Sequence, residues 1–153
     1  MKVYRISPCK FNSDLSGIGA SISGGRWNSK GVFLLYTSNS SSTAMLEVVV
    51  HLSVIPIIDY CLAVISIPDE KILEIKESDL PTDWLQYPSS DNLKKIGDDF
   101  VASNKFLALK VPSAVLPLEH NYLINPLHSD FSKVELISSE RIAIDERLLN
   151  SIS

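Results

Sequence analysis

The chain predicts an α+β domain, and three observations carry that reading. About six short apolar or β-branched runs end at proline, glycine or asparagine, as strands do. Two segments, one apolar and one amphipathic, follow Ser/Asn/Asp caps, as helices do. The strands do not alternate strictly with the helices, so a doubly wound parallel sheet is disfavoured. With 153 residues the chain can bury one core and is too short for two ordinary ones. The expectation is a single compact domain over 1–153, with short mixed or antiparallel strands around a central buried helix.

Taken in order, Val3–Ile6 alternates as a first strand and stops at Pro8. The Ser/Gly-rich stretch Ser13–Gly25 reads as an ordered loop. Val32–Tyr36 is a short apolar strand. Asn39–Ser42 offer N-caps for a helix over Thr43–Leu52, apolar nearly all round and therefore expected to be central. Tyr60–Ile67 is β-branched and closes at Pro68, so it reads as a buried strand. Ile72–Ile75 is an edge strand. Ser90-Asp91 opens a second helix over Asn92–Ala102, and Phe106–Val111 is a strand ended by Pro112. Tyr122–Ile124 stops at Asn125-Pro126, and Lys133–Ile137 with Arg141–Ile144 read as a closing pair.

The composition narrows the function. Apolar residues make up 45% and charged residues 21%, a soluble globular balance rather than a disordered one. The net charge of −4, without a Lys/Arg stripe, opposes direct binding to a nucleic-acid backbone. The apolar run Val54–Pro68 contains Pro56 and Asp59 and is too short to span a bilayer, so no membrane role is expected. Cys9 and Cys61 have no motif spacing and read as reduced thiols of a cytoplasmic protein. His51, His120 and His128 do not share a ligand spacing, so no metal is expected. Gly17–Ile22 lacks the third glycine of a dinucleotide fingerprint. Ser113 is not in a Gly-x-Ser-x-Gly elbow, which leaves a serine hydrolase unsupported.

One cluster stands out. Glu47 and His51 are the polar positions within Ala44–Leu52, and their spacing of four puts them on one helix face. A carboxylate there is costly unless it is paired or faces a polar cavity. The plain alternative is a structural ion pair with an arginine. Arg26 follows Gly24-Gly25, where a guanidinium and backbone N–H groups can approach a phosphate; it reads equally as a turn residue paired with a surface acid. Tyr36 ends an apolar strand, suited to stacking on a base or to ordinary core packing. Ser113 and Asn125 are turn residues first.

The ordered strings GGRWNSKGVFLLYTS, AMLEVVVHL, IGDDFVAS, LKVPSAVLPLEHNYLINPLHSDF and IDERL resemble the RES-domain family over Val3 to about Leu148. These are small bacterial toxins encoded beside an Xre-type antitoxin and named for an arginine, a glutamate and a serine. Arg26, Glu47 and Ser113 match those positions. The resemblance implies a fold similar to ADP-ribosyltransferase toxins, with NAD⁺ as a consumed substrate and no prosthetic group. It implies catalytic roles for Arg26, Glu47 and Ser113, and substrate contacts by Arg5 and Tyr36; Asn125, read from its own turn, is a ligand contact second to its turn role. It implies cleavage of the nicotinamide–ribose bond by a glycohydrolase or phosphorylase, with protein ADP-ribosylation as the alternative. It also implies an antitoxin that blocks the cleft and pairing of toxins within the complex. The greasy stretch Ile55–Ile58 reads equally as an interface or as the approach to a core strand. Two rival classes remain: a ribonuclease toxin using Arg26, Glu47 and His51, and a silent interaction module in which Arg26–Glu47 is a buried pair.

Overall fold

The computed structural model describes residues 1–54 and 56–149. A seven-stranded sheet runs in the order β4-β5-β6-β2-β1-β3-β7. Its strands are β1 (Lys2–Pro8), β2 (Leu35–Ser38), β3 (Tyr60–Ser66), β4 (Ile72–Glu74), β5 (Ala108–Pro112), β6 (His120–Ile124) and β7 (Glu135–Ile142). All neighbours are antiparallel except β4 and β5. The helices are α1 (Cys9–Asn12), α2 (Ile18–Ser23), α3 (Ser41–Val49) and α4 (Asp91–Ser103).

The sheet is mixed and its strands are short, in keeping with the α+β expectation. One core packs Val3, Leu35, Ala63, Ile65, Tyr122 and Ile124. A second packs Trp27, Trp84, Leu93, Phe100, Leu109, Val111 and Leu123. Leu109 and Leu123 are cross-strand partners, as are Ala108 and Ile124, so the two cores lie on opposite faces of β5 and β6. α4 buries Leu93, Gly97 and Phe100 on the second face.

Four local readings change. The Ser13–Gly25 loop contains a short helix, α2. β2 begins at Leu35 rather than Val32, because Asn28 Nδ2 holds the Val32 carbonyl inside the preceding turn. The closing pair is a single strand, β7, bonded along β3 with a register shift between Val64 and Ile65. Its polar centre, Ser138-Ser139-Glu140, lies on the outer edge of the sheet, where polar residues cost little. Finally, Cys9 and Cys61 are bonded to each other, overturning the expectation of two reduced thiols. Antiparallel pairing of β1 and β3 sets Pro8 opposite Tyr60 and Ser7 opposite Cys61, and α1 turns Cys9 back over that strand end.

α3 sits over β1 and β2. Ser40 caps it by accepting the Thr43 N–H at 3.1 Å. Burial is concentrated in its first turn, at Thr43 and Ala44, and residues 45–49 are half-buried. Beyond it, Ile57 and Ile58 are exposed and Ile55 lies outside the described residues. Among the described residues no helix is long and apolar enough to cross a membrane.

Candidate functional site

β1 and β2 meet at one register pair, Tyr4 with Ser38, and the sheet is least tied there. The side chain of Ser38 is buried at this junction, and its hydroxyl donates to Asn121 Oδ1 at 2.8 Å. Asn121 is the cross-strand partner of Ser38. Its amide donates to Glu47 Oε1 at 2.7 Å. Ser113, fully buried just past β5, donates to the same oxygen at 2.7 Å. Two donors from two strand ends thus fix one carboxylate oxygen of α3. Glu47 Oε2 has no partner among the described residues and is absent from their buried unpaired atoms, so it opens outward.

The Ser113 hydroxyl has its proton direction imposed. Its oxygen accepts the backbone N–H groups of Val115 and Leu116 at 3.2 Å each. With both lone pairs engaged, the O–H is left to point at Glu47. The same constraint makes Ser113 a poor nucleophile and a good positioning group.

Arg26 is built from a different set of contacts. Gly25 and Asn28 close the turn as an isolated bridge. A Cβ on Gly25 would lie 2.7 Å from the Tyr36 hydroxyl, so glycine alone fits. Tyr36 braces the turn: its hydroxyl accepts the Trp27 N–H at 3.0 Å and donates to Asn28 Oδ1 at 2.7 Å. Burial pushes that phenol well above its ordinary pKa, opposed in part by the Trp27 N–H. From this platform Arg26 Nη1 donates to the carbonyls of Trp84 at 2.9 Å and Gln86 at 3.1 Å.

Tyr36 and Ser38 are two residues apart on β2 and share a sheet face. One supports the Arg26 turn and the other, through Asn121, supports Glu47. The arginine and the glutamate therefore stand over the same face, yet they do not pair. Among the described residues Glu47 makes no salt bridge, so the structural ion pair offered as the plain alternative is not formed. One cation held by carbonyls and one anion held by neutral donors are what a site for a ligand bearing both charges requires.

The other two candidate residues, Arg5 and Asn125, lie apart from this cluster. Arg5 alternates with Tyr4 and so leaves β1 on the face opposite Ser38. Its Nη1 donates to the carbonyls of Phe11, Asn12 and Asp14, the last at 2.8 Å. Burial holds this guanidinium below its ordinary pKa, and Asp14 works against that shift. Asn125 follows Asn121 by four residues, about 13 Å along an extended strand. It donates to Asn104 Oδ1 at 3.0 Å and caps the Leu127 N–H. Two surface hollows of about 470 Å³ each border residues 56–60, one against Arg141–Ile144 and the other against Pro8–Lys10; neither reaches Glu47.

The site residues that sequence reasoning passed over are Asn121 and Ser38. Asn121 lies within the string LKVPSAVLPLEHNYLINPLHSDF, but its aim at Glu47 is a consequence of β2–β6 pairing.

The RES-domain model matches residues 2–145. The chain belongs to the RES-domain family. A curated relative from Yersinia enterocolitica, named Toxin Res, is 37% identical over 97% of this chain and 99% of its own length. Another Toxin Res, from Photorhabdus laumondii, is 34% identical over 99% of each. A third relative, the Prs ADP-ribosylating toxin of a Sphingobium species, is 36% identical over 89% of this chain and 87% of its own. Its relatives mark this RES-domain chain as a toxin. Among solved structures, the Mycobacterium tuberculosis MbcT–MbcA toxin–antitoxin complex contains a chain of the same fold. The TM-score is 0.75, at 19% identity, over 93% of this chain and 84% of that one.

Proposed function

We propose that this RES-domain toxin consumes NAD⁺ by cleaving the bond between nicotinamide and ribose. The observation that carries the reading is the one-sided hold on Glu47. Ser113 and Asn121 both bind Oε1, leaving Oε2 as an oriented acceptor for a ribose hydroxyl. Glycosyl transfer of this kind passes through an oxocarbenium-like centre, which a fixed carboxylate stabilises. Nicotinamide departs as a neutral amine from a cationic bond, so no general acid is needed and one carboxylate suffices. Water attacking the anomeric carbon gives ADP-ribose, nicotinamide and a proton. Phosphate in place of water gives the 1-phosphate of ADP-ribose. Arg26, with Nε and Nη2 left over from its loop contacts, clamps the pyrophosphate. Tyr36 serves by holding the Arg26 turn, and Ser113 by aiming Glu47.

A second reading, transfer of ADP-ribose to a protein, is favoured by the Sphingobium relative's name and uses the same groups. The toxin works in the cytoplasm, where its substrate is, and is held by an Xre-type antitoxin, with a toxin pair inside the complex. The toxin itself makes no direct contact with nucleic acid.

The deciding experiment is to induce wild type and Glu47→Gln in cells and follow NAD⁺ by mass spectrometry, with and without added phosphate for the purified proteins. Wild type should deplete NAD⁺ and Glu47→Gln, folded by circular dichroism, should not. Undiminished NAD⁺ during growth arrest would sink the reading. A labelled protein in place of free ADP-ribose would select the transferase.

A further inference from the structure

Tyr87 is 77% exposed, yet its loop is not loose. Trp84, three residues earlier, is buried among Leu93 and Phe100. The next carbonyls, of Trp84 and Gln86, are both held by Arg26. The loop is thus moored to the core at one point and to the site's cation at two. Tyr87 projects from the mooring toward His51, with ring centroids 6.1 Å apart and planes tilted by 46°. His51 follows Glu47 by four residues, about 6 Å further along the helix axis. It sits in the turn that ends α3, where its N–H bonds the Val48 carbonyl.

Two exposed rings in an open wedge, one attached to the arginine's loop and one to the glutamate's helix, bracket the far side of the site. A planar ring stacked between them needs about 7 Å between the outer planes, twice a van der Waals contact. A small swing of Tyr87 on its exposed side supplies that.

We propose that Tyr87 and His51 form an aromatic jaw that grips one of the two planar bases of the dinucleotide; this rests on the NAD⁺ reading above. Stacking on an exposed aromatic tolerates either ring, adenine or nicotinamide, so the shared chemistry is a flat heteroaromatic face.

Calorimetric titration in a Glu47→Gln background, which removes turnover, tests it. NAD⁺ should bind the parent, Tyr87→Ala should weaken it roughly tenfold, and Tyr87→Phe should restore it to within about threefold, because the ring alone carries the contact. ADP-ribose and nicotinamide mononucleotide identify the base. A loss shared by ADP-ribose alone assigns the jaw to adenine, and one shared by the mononucleotide alone assigns it to nicotinamide. Equal NAD⁺ affinity with and without the Tyr87 ring would overturn the jaw and leave the NAD⁺ site standing. A parent that binds no NAD⁺ would overturn the site itself, and the jaw with it.

Discussion

The Ser113 hydroxyl donates to Glu47 Oε1 while accepting two backbone N–H groups of its own turn. Replacing Ser113 by alanine leaves the carboxylate tied by Asn121 alone and free to swing. Misplacement of a reacting group by about 1 Å can cost on the order of 100-fold. Ser113→Ala should therefore lower kcat for NAD⁺ cleavage by about 10- to 100-fold while the circular dichroism spectrum stays that of wild type. Cysteine at this position, a stronger nucleophile, should not raise the rate, because the group acts by aiming Glu47. A faster Ser113→Cys enzyme would contradict that role.

Asn121 offers a sharper contrast. Its amide nitrogen faces Glu47 and its oxygen faces Ser38. Asn121→Asp keeps the shape and places a second carboxylate against the first, where like charges repel. The expected order of NAD⁺ cleavage is wild type, then Asn121→Ala, then Asn121→Asp, with the aspartate variant recovering as pH falls and one proton is shared between the two acids. A pH profile of kcat/KM for the three proteins checks both the order and the recovery.

How far the sequence could reach is visible in these same residues. Most strands and both longer helices were legible because their apolar periods and caps are local signals; Ser40 does cap α3 and Pro112 does end β5. Arg26, Glu47 and Ser113 emerged through an ordered resemblance, since none is distinctive alone. What stayed hidden depends on chain reversal. Cys9 and Cys61 are 52 residues apart and become partners only when β1 pairs with β3. β7 looked like two strands because an edge strand tolerates a polar centre. Arg5 carries a charge suited to phosphate, but strand alternation sends it to the other face. The bond from Asn121 to Glu47 spans 74 residues, and no local pattern encodes it.

Gly97 ties α4 to the Arg26 turn. A Cβ there would fall 1.7 Å from the Trp27 carbonyl oxygen, a backbone atom that cannot step aside alone. Gly97→Ala should push α4 off the turn, at a cost of about 3 kcal/mol or more. The helix propensity gained from alanine, about 1 kcal/mol, does not offset it. Denaturant titration should show a lowered midpoint, and the residual folded protein should have a raised KM for NAD⁺ because Arg26 moves with Trp27. Wild-type stability in Gly97→Ala would mean that α4 and the turn are not in contact.

The Cys9–Cys61 bond closes a long loop between α1 and β3, with Asn12 Nδ2 reinforcing it on the Cys61 carbonyl at 2.9 Å. Cross-links of this kind stabilise by about 2–4 kcal/mol, chiefly by restricting the unfolded chain. Thiols are kept reduced in the cytoplasm, where the toxin is proposed to act, so the protein purified under oxidising conditions should be the more stable form. Adding dithiothreitol, or substituting Cys61→Ser, should lower the Tm measured by calorimetry. Because the bond lies on the α1 side of the sheet and Glu47 is held by β5 and β6, NAD⁺ cleavage well below the Tm should change little. An unaltered Tm on reduction would show that the two sulfurs are not joined in solution, and a collapse of activity at constant Tm would show that α1 reaches the site.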